Sequence, residues 1–202
     1  MARKEKRASA TSPEQTHPPS LLEKWADFVK LSHTVFALPF ALAATVLAAR
    51  AAHAELPALE QPARIALERG WPGWKLFGLI LLAMVTARTC AMAFNRIVDR
   101  KFDALNPRTA KRHLPAGTIS LSSARALCIL SGAFFVGTTY AIDMVREVNQ
   151  GRLICLMLSP VTLLFILGYS LTKRFTDFTH VVLGIALAIS PVGAWLAVNG
   201  SL

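Results

Sequence analysis

Residues 76–103, "LFGLILLAMVTARTCAMAFNRIVDRKFD", join a long apolar run directly to a polar segment. The apolar part, 76–94, carries one charge, Arg88, and approaches the roughly 20 residues that a helix needs to cross a bilayer. The polar part places Asn95, Asp99 and Asp103 four residues apart, so on a continuing helix these side chains share one face. The stretch therefore predicts a membrane-spanning helix that ends in a column of oxygen ligands.

The rest of the chain repeats the apolar pattern. Of its 202 residues, 53% are hydrophobic and 17% are charged, whereas soluble domains carry roughly 25% charged residues. Five stretches approach the length of a membrane span: 31–49, 76–94, 126–142, 153–172 and 181–199. The sequence therefore predicts an all-α fold, a polytopic transmembrane helix bundle with about five spans in this chain.

Lysine and arginine residues are distributed unevenly between the ends of these spans. Fourteen lie on the side of the N-terminus and of the connections after the second and fourth spans, and six lie on the opposite side. The positive-inside rule puts the richer side in the cytoplasm, so we expect an integral protein of the inner (cytoplasmic) membrane. The net charge of +10 then matches an anionic membrane surface, with no nucleic-acid partner.

The N-terminal residues differ in composition from the apolar remainder. Residues 1–23 are basic and then rich in Ser, Thr and Pro, and they lack the apolar run of a signal peptide. We expect a disordered cytoplasmic tail over 1–23 and a membrane-embedded domain over 24–202. The three cysteines, Cys90, Cys128 and Cys155, lie in separate apolar runs and lack metal-ligand spacing, so we expect small buried side chains without disulfides or zinc.

The two aspartates of the column suit a divalent cation. Like charges four residues apart on a helix repel each other, and a bound cation relieves the repulsion. Oxygen ligands without His or Cys favour a hard ion such as Mg²⁺, which usually completes its shell with water and substrate phosphates. The alternative is a solvated loop in which the aspartates pair with neighbouring cations, namely Arg96, Arg100 or Lys101.

A basic segment follows the column. Residues 104–117, "ALNPRTAKRHLPAG", bring Arg108, Lys111 and Arg112 to the same end of the bundle. Guanidinium and ammonium groups suit the oxygens of a diphosphate whose metal ion is held by the aspartates. The pattern therefore favours a metal–diphosphate site, while the role of His113 within this segment stays open.

Three stretches carry a family resemblance: "AMAFNRIVDRKFDALNPRTAKRHLPAG" (91–117), "KLSHTVFALPFALAA" (30–44) and "YSLTKRFTDFTHVVLGIALAISPVGAWLAVNG" (169–200). Together they resemble the UbiA superfamily of intramembrane prenyltransferases, from about residue 24 to the end. The first span is most similar to the 4-hydroxybenzoate polyprenyltransferase-like branch, including its menaquinone-pathway members. The resemblance implies a bundle of about nine helices with a central cavity that binds a prenyl diphosphate through Mg²⁺ on two Asp-rich motifs.

The resemblance also suggests roles for individual residues. The first Asp-rich motif maps onto Asn95, Asp99 and Asp103, as metal ligands and catalytic residues. Arg108, Arg112, Lys173 and Arg174 would bind the diphosphate, with Tyr169 lining the cavity, although Lys173 and Arg174 could instead act only as topogenic charges. Arg88, a charge inside a span, is expected either to anchor the carboxylate of an aromatic acid or to snorkel to the interface.

The second Asp-rich motif has no clear counterpart. Asp143 and Glu147 have the four-residue spacing but fall on the predicted outer side, and Asp177 stands alone. The chain thus looks like the N-terminal half of a family member, with the missing half in a separate chain as one option. We expect it to insert into the membrane without turning over by itself.

The expected reaction is Mg²⁺-dependent transfer of a polyprenyl group from a prenyl diphosphate to an aromatic acceptor such as 4-hydroxybenzoate, in ubiquinone or menaquinone biosynthesis. A phospholipid head-group transferase is disfavoured, because "RKFD" follows Asp99 where that class has a DG pair and an AR dipeptide. A transporter or assembly factor is the non-enzyme alternative, but carboxylates of an ion path should lie mid-span. An inactive fragment of the prenyltransferase is the remaining alternative.

Overall fold

The computed structural model describes residues 20–30, 38–55, 68–146, 153–172, 175 and 178–201, and every regular element among them is an α-helix. The helices are α1 Leu21–Phe28, α2 Leu38–Glu55, α3 Trp74–Leu105, α4 Leu121–Val145, α5 Ile154–Thr172 and α6 Thr179–Asn199. The predicted all-α fold is confirmed. The last residues of the predicted tail, 21–23, belong to α1, and residues 1–19 lie outside the described part.

Helices α2 to α6 overlap the five predicted spans. By length and composition, α3, α4, α5 and residues 180–199 of α6 can each cross a membrane. The apolar part of α2, Leu38–Ala52, is shorter, and the first seven residues of its predicted span, 31–37, are not described. The described helices therefore form a polytopic bundle of the predicted type.

Helix α3 is longer than a membrane requires. Its 32 residues extend about 48 Å at 1.5 Å per residue, against a hydrocarbon core of roughly 30 Å. The helix continues past Phe94 to Leu105, so Asn95, Asp99 and Asp103 are helical, as the spacing predicts. The column consequently lies in the last three turns of α3, at one end of the bundle.

Buried apolar residues form a cluster at each end of the bundle. At the end where α3 begins, alanines of α2 and α6 pack with Leu76 and Ile80 of α3 and Ile142 of α4. Small side chains let membrane helices approach closely, which explains the alanines between α2 and α6. At the aspartate end, Phe28 of α1 packs with Ala93 of α3 and Ala124 of α4. The short helix α1 is therefore docked beside the column.

The α3–α4 contact brings two of the three cysteines together. Cys90 is buried, and its Sγ lies 3.9 Å from that of Cys128. Gly132 of α4 lies beside them, and a Cβ at that position would contact Cys90 Sγ at 3.4 Å. In the structure all three cysteines are free thiols; Cys90 is buried, and Cys128 and Cys155 are half-buried. The sequence did not indicate that two of them meet.

We expect mild oxidation of membranes containing the chain to form a disulfide between Cys90 and Cys128. A disulfide requires the sulfurs to approach to about 2.05 Å, which side-chain rotation can achieve from contact distance. Mass spectrometry of unreduced peptides measures the product. Cys155→Ser should leave the cross-link intact and Cys128→Ser should abolish it. A disulfide to Cys155 instead would show that the α3–α4 register is wrong.

Candidate active site

The column formed by Asn95, Asp99 and Asp103 occupies one face at the end of α3. Asp99 and Asp103 are 8% and 7% exposed, and Asn95, one turn earlier, is half-buried. A carboxylate with so little exposure is unlike the side chain of a solvated loop. The helical column is therefore present and largely enclosed.

A cavity of about 480 Å³ lies between α3, α4, α5 and α6. Arg88 and Asn95 of α3 and Tyr169 of α5 all line it, so the structure brings three of the predicted site residues to one space. The lining is mainly apolar, with hydroxyl groups from Thr139, Ser159, Thr162, Ser170 and Ser190. Asp99 and Asp103 continue the same face of α3 beyond Asn95, which places them past the end of the cavity that Asn95 lines.

Arg88 faces this cavity rather than the end of the span. Its Nε is buried and, among the described residues, has no acceptor within hydrogen-bonding distance. A buried guanidinium atom without an acceptor is costly in an apolar setting. The position therefore favours an anionic ligand in the cavity over snorkelling to the interface.

Asp103 forms an ion pair with the basic segment. Arg112 Nη1 donates to Oδ1 and Oδ2 of Asp103 at 2.8 and 2.9 Å. The Thr109 hydroxyl donates to the main-chain carbonyl oxygen of Asp103 at 3.0 Å, which satisfies a carbonyl at the helix end. The loop alternative proposed Arg96, Arg100 or Lys101 as partners, whereas the pairing seen for Asp103 is with Arg112.

The segment after α3 has a defined backbone. The Asn106 side chain accepts from the main-chain N–H of Arg108 at 3.0 Å, and the Arg112 carbonyl accepts from the N–H of Ala116 at 2.9 Å. Gly117, with φ +71°, supplies the left-handed residue that ends the turn. Arg108 and Lys111 are exposed on this segment. The predicted cations are thus presented from an ordered loop beside the column.

Helix α1 is fastened to the same segment through His113. Its Nε2 lies 3.1 Å from Asp27 Oδ2, and its Nδ1 lies 2.9 Å from the Thr118 hydroxyl. A hydrogen bond from Lys30 lowers the pKa of the Asp27 carboxyl. Partial burial raises this pKa by less, and the contact with His113 lowers it further. The Asp27 side chain is 60% exposed, so its pairs with Lys30 and His113 each contribute roughly 1 kcal/mol or less to the stability of the fold. Nothing in the sequence signalled this contact across 86 residues.

A further cation lies among these groups. Arg96, half-buried on α3, is within electrostatic range of Asp99 and Asp103, and also of Asp27 and Arg112. The sequence raised Arg96 only as an ion-pair partner in a loop. In the structure Arg96 adds positive charge beside the column, and positive charge at this place would attract an anionic ligand.

Asp143 belongs to a different cluster at the opposite end of α4. Asp143 and Arg146 side chains are 0% and 1% exposed, with Arg146 Nη1 3.1 Å from Asp143 Oδ1. The carboxylate accepts from the first N–H groups of α5, those of Cys155 and Leu156. Nineteen residues of α4 separate Asp143 from Ala124, about 28 Å along the helix. Asp143 therefore caps α5 far from the column, and Glu147 lies outside the described residues.

The donor set of the column fits Mg²⁺. Asp99, Asp103 and Asn95 offer only oxygen ligands, and one or two carboxylates with substrate phosphates are the usual environment of this ion. Within the described ranges, no three His, Cys, Asp or Glu side chains form a group that could hold a metal ion by themselves. Lys173 and Arg174 lie outside the described residues.

The family assignment follows from comparison with known proteins. The model of the UbiA prenyltransferase family matches residues 62–202. The chain belongs to this family. A solved structure, the apo structure of a UbiA homolog from Aeropyrum pernix K1, superposes with a TM-score of 0.60 at 31% identity, over 84% of this chain and 51% of that one. With its long apolar helices, this UbiA-family chain is an integral membrane protein.

Curated relatives of this UbiA-family chain include 4-hydroxybenzoate octaprenyltransferases from several bacteria. The one from Albidiferax ferrireducens is 29% identical over 65% of this chain and 41% of its own length. The one from Photobacterium profundum is 32% identical over 66% of this chain and 43% of its own length. The chain thus spans about two fifths of the length of these relatives.

Proposed function

We propose that this chain carries a diphosphate-binding site of an aromatic prenyltransferase. In the reaction, a polyprenyl group passes from a prenyl diphosphate to an aromatic acid such as 4-hydroxybenzoate, in ubiquinone or menaquinone biosynthesis. The observation that carries the proposal is the position of the Asp99–Asp103 column, beyond Asn95 at one end of an apolar intramembrane cavity and beside an ordered basic loop. The names of the relatives support the choice of substrates.

The chemistry assigns separate tasks to the cavity and the column. The allylic C–O bond breaks and its electron pair leaves with the diphosphate, then a ring carbon bonds to the prenyl cation and the ring loses a proton. Arg108 and Arg112, with Lys173 and Arg174, would bind the diphosphate oxygens as charge develops there. The apolar walls exclude water from the cation. Mg²⁺ bound by Asn95, Asp99 and Asp103 would neutralise further charge on the leaving group.

Arg88 is proposed to bind the carboxylate of the aromatic acid. It lies seven residues, about 10 Å, before Asn95 on α3 and lines the same cavity. A carboxylate there would satisfy the buried Nε through a charge-assisted hydrogen bond. In this arrangement the aromatic acceptor would lie deeper in the membrane than the diphosphate. The prenyl group would then be transferred away from the column, towards the middle of the bundle.

Thermal unfolding of the purified chain in nanodiscs tests the proposal. Farnesyl diphosphate with Mg²⁺ should raise the apparent Tm, because a ligand that binds only the folded state stabilises it. 4-Hydroxybenzoate should raise it in the wild type and not in Arg88→Leu, whereas both proteins should respond alike to farnesyl diphosphate. Farnesol, or the diphosphate with EDTA, serves as control. A Tm that farnesyl diphosphate with Mg²⁺ leaves unchanged would refute the proposed site.

The proposal places the column and basic loop on the cytoplasmic side of the inner membrane. Leu105, at the end of α3, is exposed, and Trp74, at its beginning, is also exposed. In right-side-out vesicles, an impermeant maleimide should label Trp74→Cys and leave Leu105→Cys unlabelled until the membrane is opened, with the unsubstituted chain as background. The reverse pattern would show that the column faces outward.

A further inference from the structure

The Asp103–Arg112 ion pair joins two residues to which the proposed function assigns different ligands. Asp103 is assigned to the metal ion and Arg112 to the diphosphate. In the structure, one guanidinium nitrogen donates to both oxygens of the carboxylate, at 2.8 and 2.9 Å. A carboxylate engaged in this way by a cation attracts a second cation less strongly. Arg112 and a metal ion therefore compete for Asp103.

The two partners differ in their freedom to move. Asp103 lies within α3 and its side chain is 10% exposed, whereas the Arg112 side chain is 41% exposed and lies on the loop. The Arg112 main chain is held on both sides, by its N–H to the Thr109 carbonyl at 3.0 Å and by its carbonyl to the Ala116 N–H at 2.9 Å. The guanidinium can therefore leave Asp103 by rotation of its own side chain, while the loop stays in place.

Arg96 makes this exchange easier. It lies within electrostatic range of Arg112, a like charge, and of Asp103 and Asp99. Repulsion between the two guanidinium groups weakens the attachment of Arg112 to Asp103. When Arg112 leaves, Arg96 stays near the carboxylates and balances part of their charge. The site thus contains a half-buried cation on α3 and a more exposed cation on the loop.

We infer that Arg112 exchanges between Asp103 and the diphosphate and so couples the binding of the two ligands. A diphosphate that draws Arg112 away from Asp103 frees a carboxylate for the metal ion. By thermodynamic linkage, a metal ion that displaces Arg112 raises the affinity for the diphosphate by the same factor by which the diphosphate raises the affinity for the metal ion. The identity of the two ligands rests on the proposed function, whereas the competition for Asp103 rests on the ion pair itself.

The test compares the effect of Arg112→Gln on each ligand separately, using the full chain in nanodiscs. Without diphosphate, Mn²⁺ used in place of Mg²⁺ should bind roughly three- to tenfold more tightly to Arg112→Gln, because a half-exposed ion pair no longer competes. The free Mn²⁺ is measured by electron paramagnetic resonance. Farnesyl diphosphate at saturating Mg²⁺ should bind more weakly to the same variant. If Arg112 had a purely structural role, its replacement would not raise the affinity for Mn²⁺ and lower the affinity for farnesyl diphosphate.

Three variants control for charge and folding. Lys111→Gln removes one positive charge from an exposed position on the same loop, and should change Mn²⁺ affinity less than twofold. Arg112→Lys keeps the charge and a nitrogen donor, so its Mn²⁺ affinity should return towards that of the wild type. In Arg112→Gln/Asp103→Asn the gain should disappear, because the carboxylate that Arg112 competes for is gone.

The outcomes separate this inference from the proposed function. If Arg112→Gln binds Mn²⁺ no more tightly than the wild type, while Asp99→Asn removes Mn²⁺ binding, the coupling is refuted and the metal site stands. If Mn²⁺ binding does not depend on Asp99 in any variant, the metal site and the coupling both fail. If Lys111→Gln tightens Mn²⁺ as much as Arg112→Gln, general charge explains the effect and the ion pair does not.

Discussion

Asp99→Asn is expected to lower the Mg²⁺-dependent affinity for a prenyl diphosphate by at least about 10- to 100-fold. Mutation of a residue that only hydrogen-bonds to a metal ligand already causes a loss of this size. Asn has nearly the same shape as Asp but lacks its charge, and Mg²⁺ relies on one or two carboxylates. Asp103→Asn should lower the affinity similarly and also release Arg112. The thermal shift with farnesyl diphosphate, titrated with Mg²⁺, measures both losses.

The matched control for this prediction is Asp27→Asn. Asp27 is a carboxylate on the same end of the bundle, but it is exposed on α1 and pairs with Lys30 and His113. We expect its removal to leave Mg²⁺-dependent binding unchanged, with α-helical circular dichroism like that of Asp99→Asn. Wild-type affinity at limiting Mg²⁺ in Asp99→Asn would exclude Asp99 as a metal ligand.

Asp143→Asn is expected to destabilise the bundle by about 3–5 kcal/mol, the usual result of removing the charge of one member of a buried ion pair. Arg146 is buried, contacts Asp143 at 3.1 Å and also donates to the Leu196 carbonyl near the end of α6. Gly200, which ends α6, packs so closely on this guanidinium that a Cβ there would lie 2.8 Å from Cζ. A guanidinium so enclosed has little room to reach water once the Asp143 carboxylate is neutralised.

Unfolding in a denaturing detergent measures this loss, with two variants for comparison. Asp27→Asn breaks an exposed pair and should cost less than about 1 kcal/mol. Asp143→Asn/Arg146→Gln removes both charges of this pair, so it should be more stable than Asp143→Asn alone. Equal stability of Asp143→Asn and Asp27→Asn would mean that water reaches the Asp143–Arg146 pair.

Features of the fold that depend on local sequence were predictable. The described part of each apolar run of about 20 residues lies in a helix, because in lipid the backbone satisfies its polar groups internally and the composition of a segment decides where it lies. The four-residue spacing of Asn95, Asp99 and Asp103 placed them on one face of α3, because helical periodicity is a property of the segment itself. The cavity position of Arg88 was one of two options that the sequence left open.

Contacts between segments required the tertiary structure. The sequence offered several cations near Asp103, and only the path of the loop after α3 decided that Arg112 contacts it. The rotation and register of packed helices likewise brought Cys90 to Cys128 and enclosed Asp143 with Arg146. Such contacts depend on where whole helices and loops meet, which neither composition nor periodicity encodes. The sequence by itself therefore determined the membrane helices and the column of Asn95, Asp99 and Asp103, and the packing decided which charges balance that column.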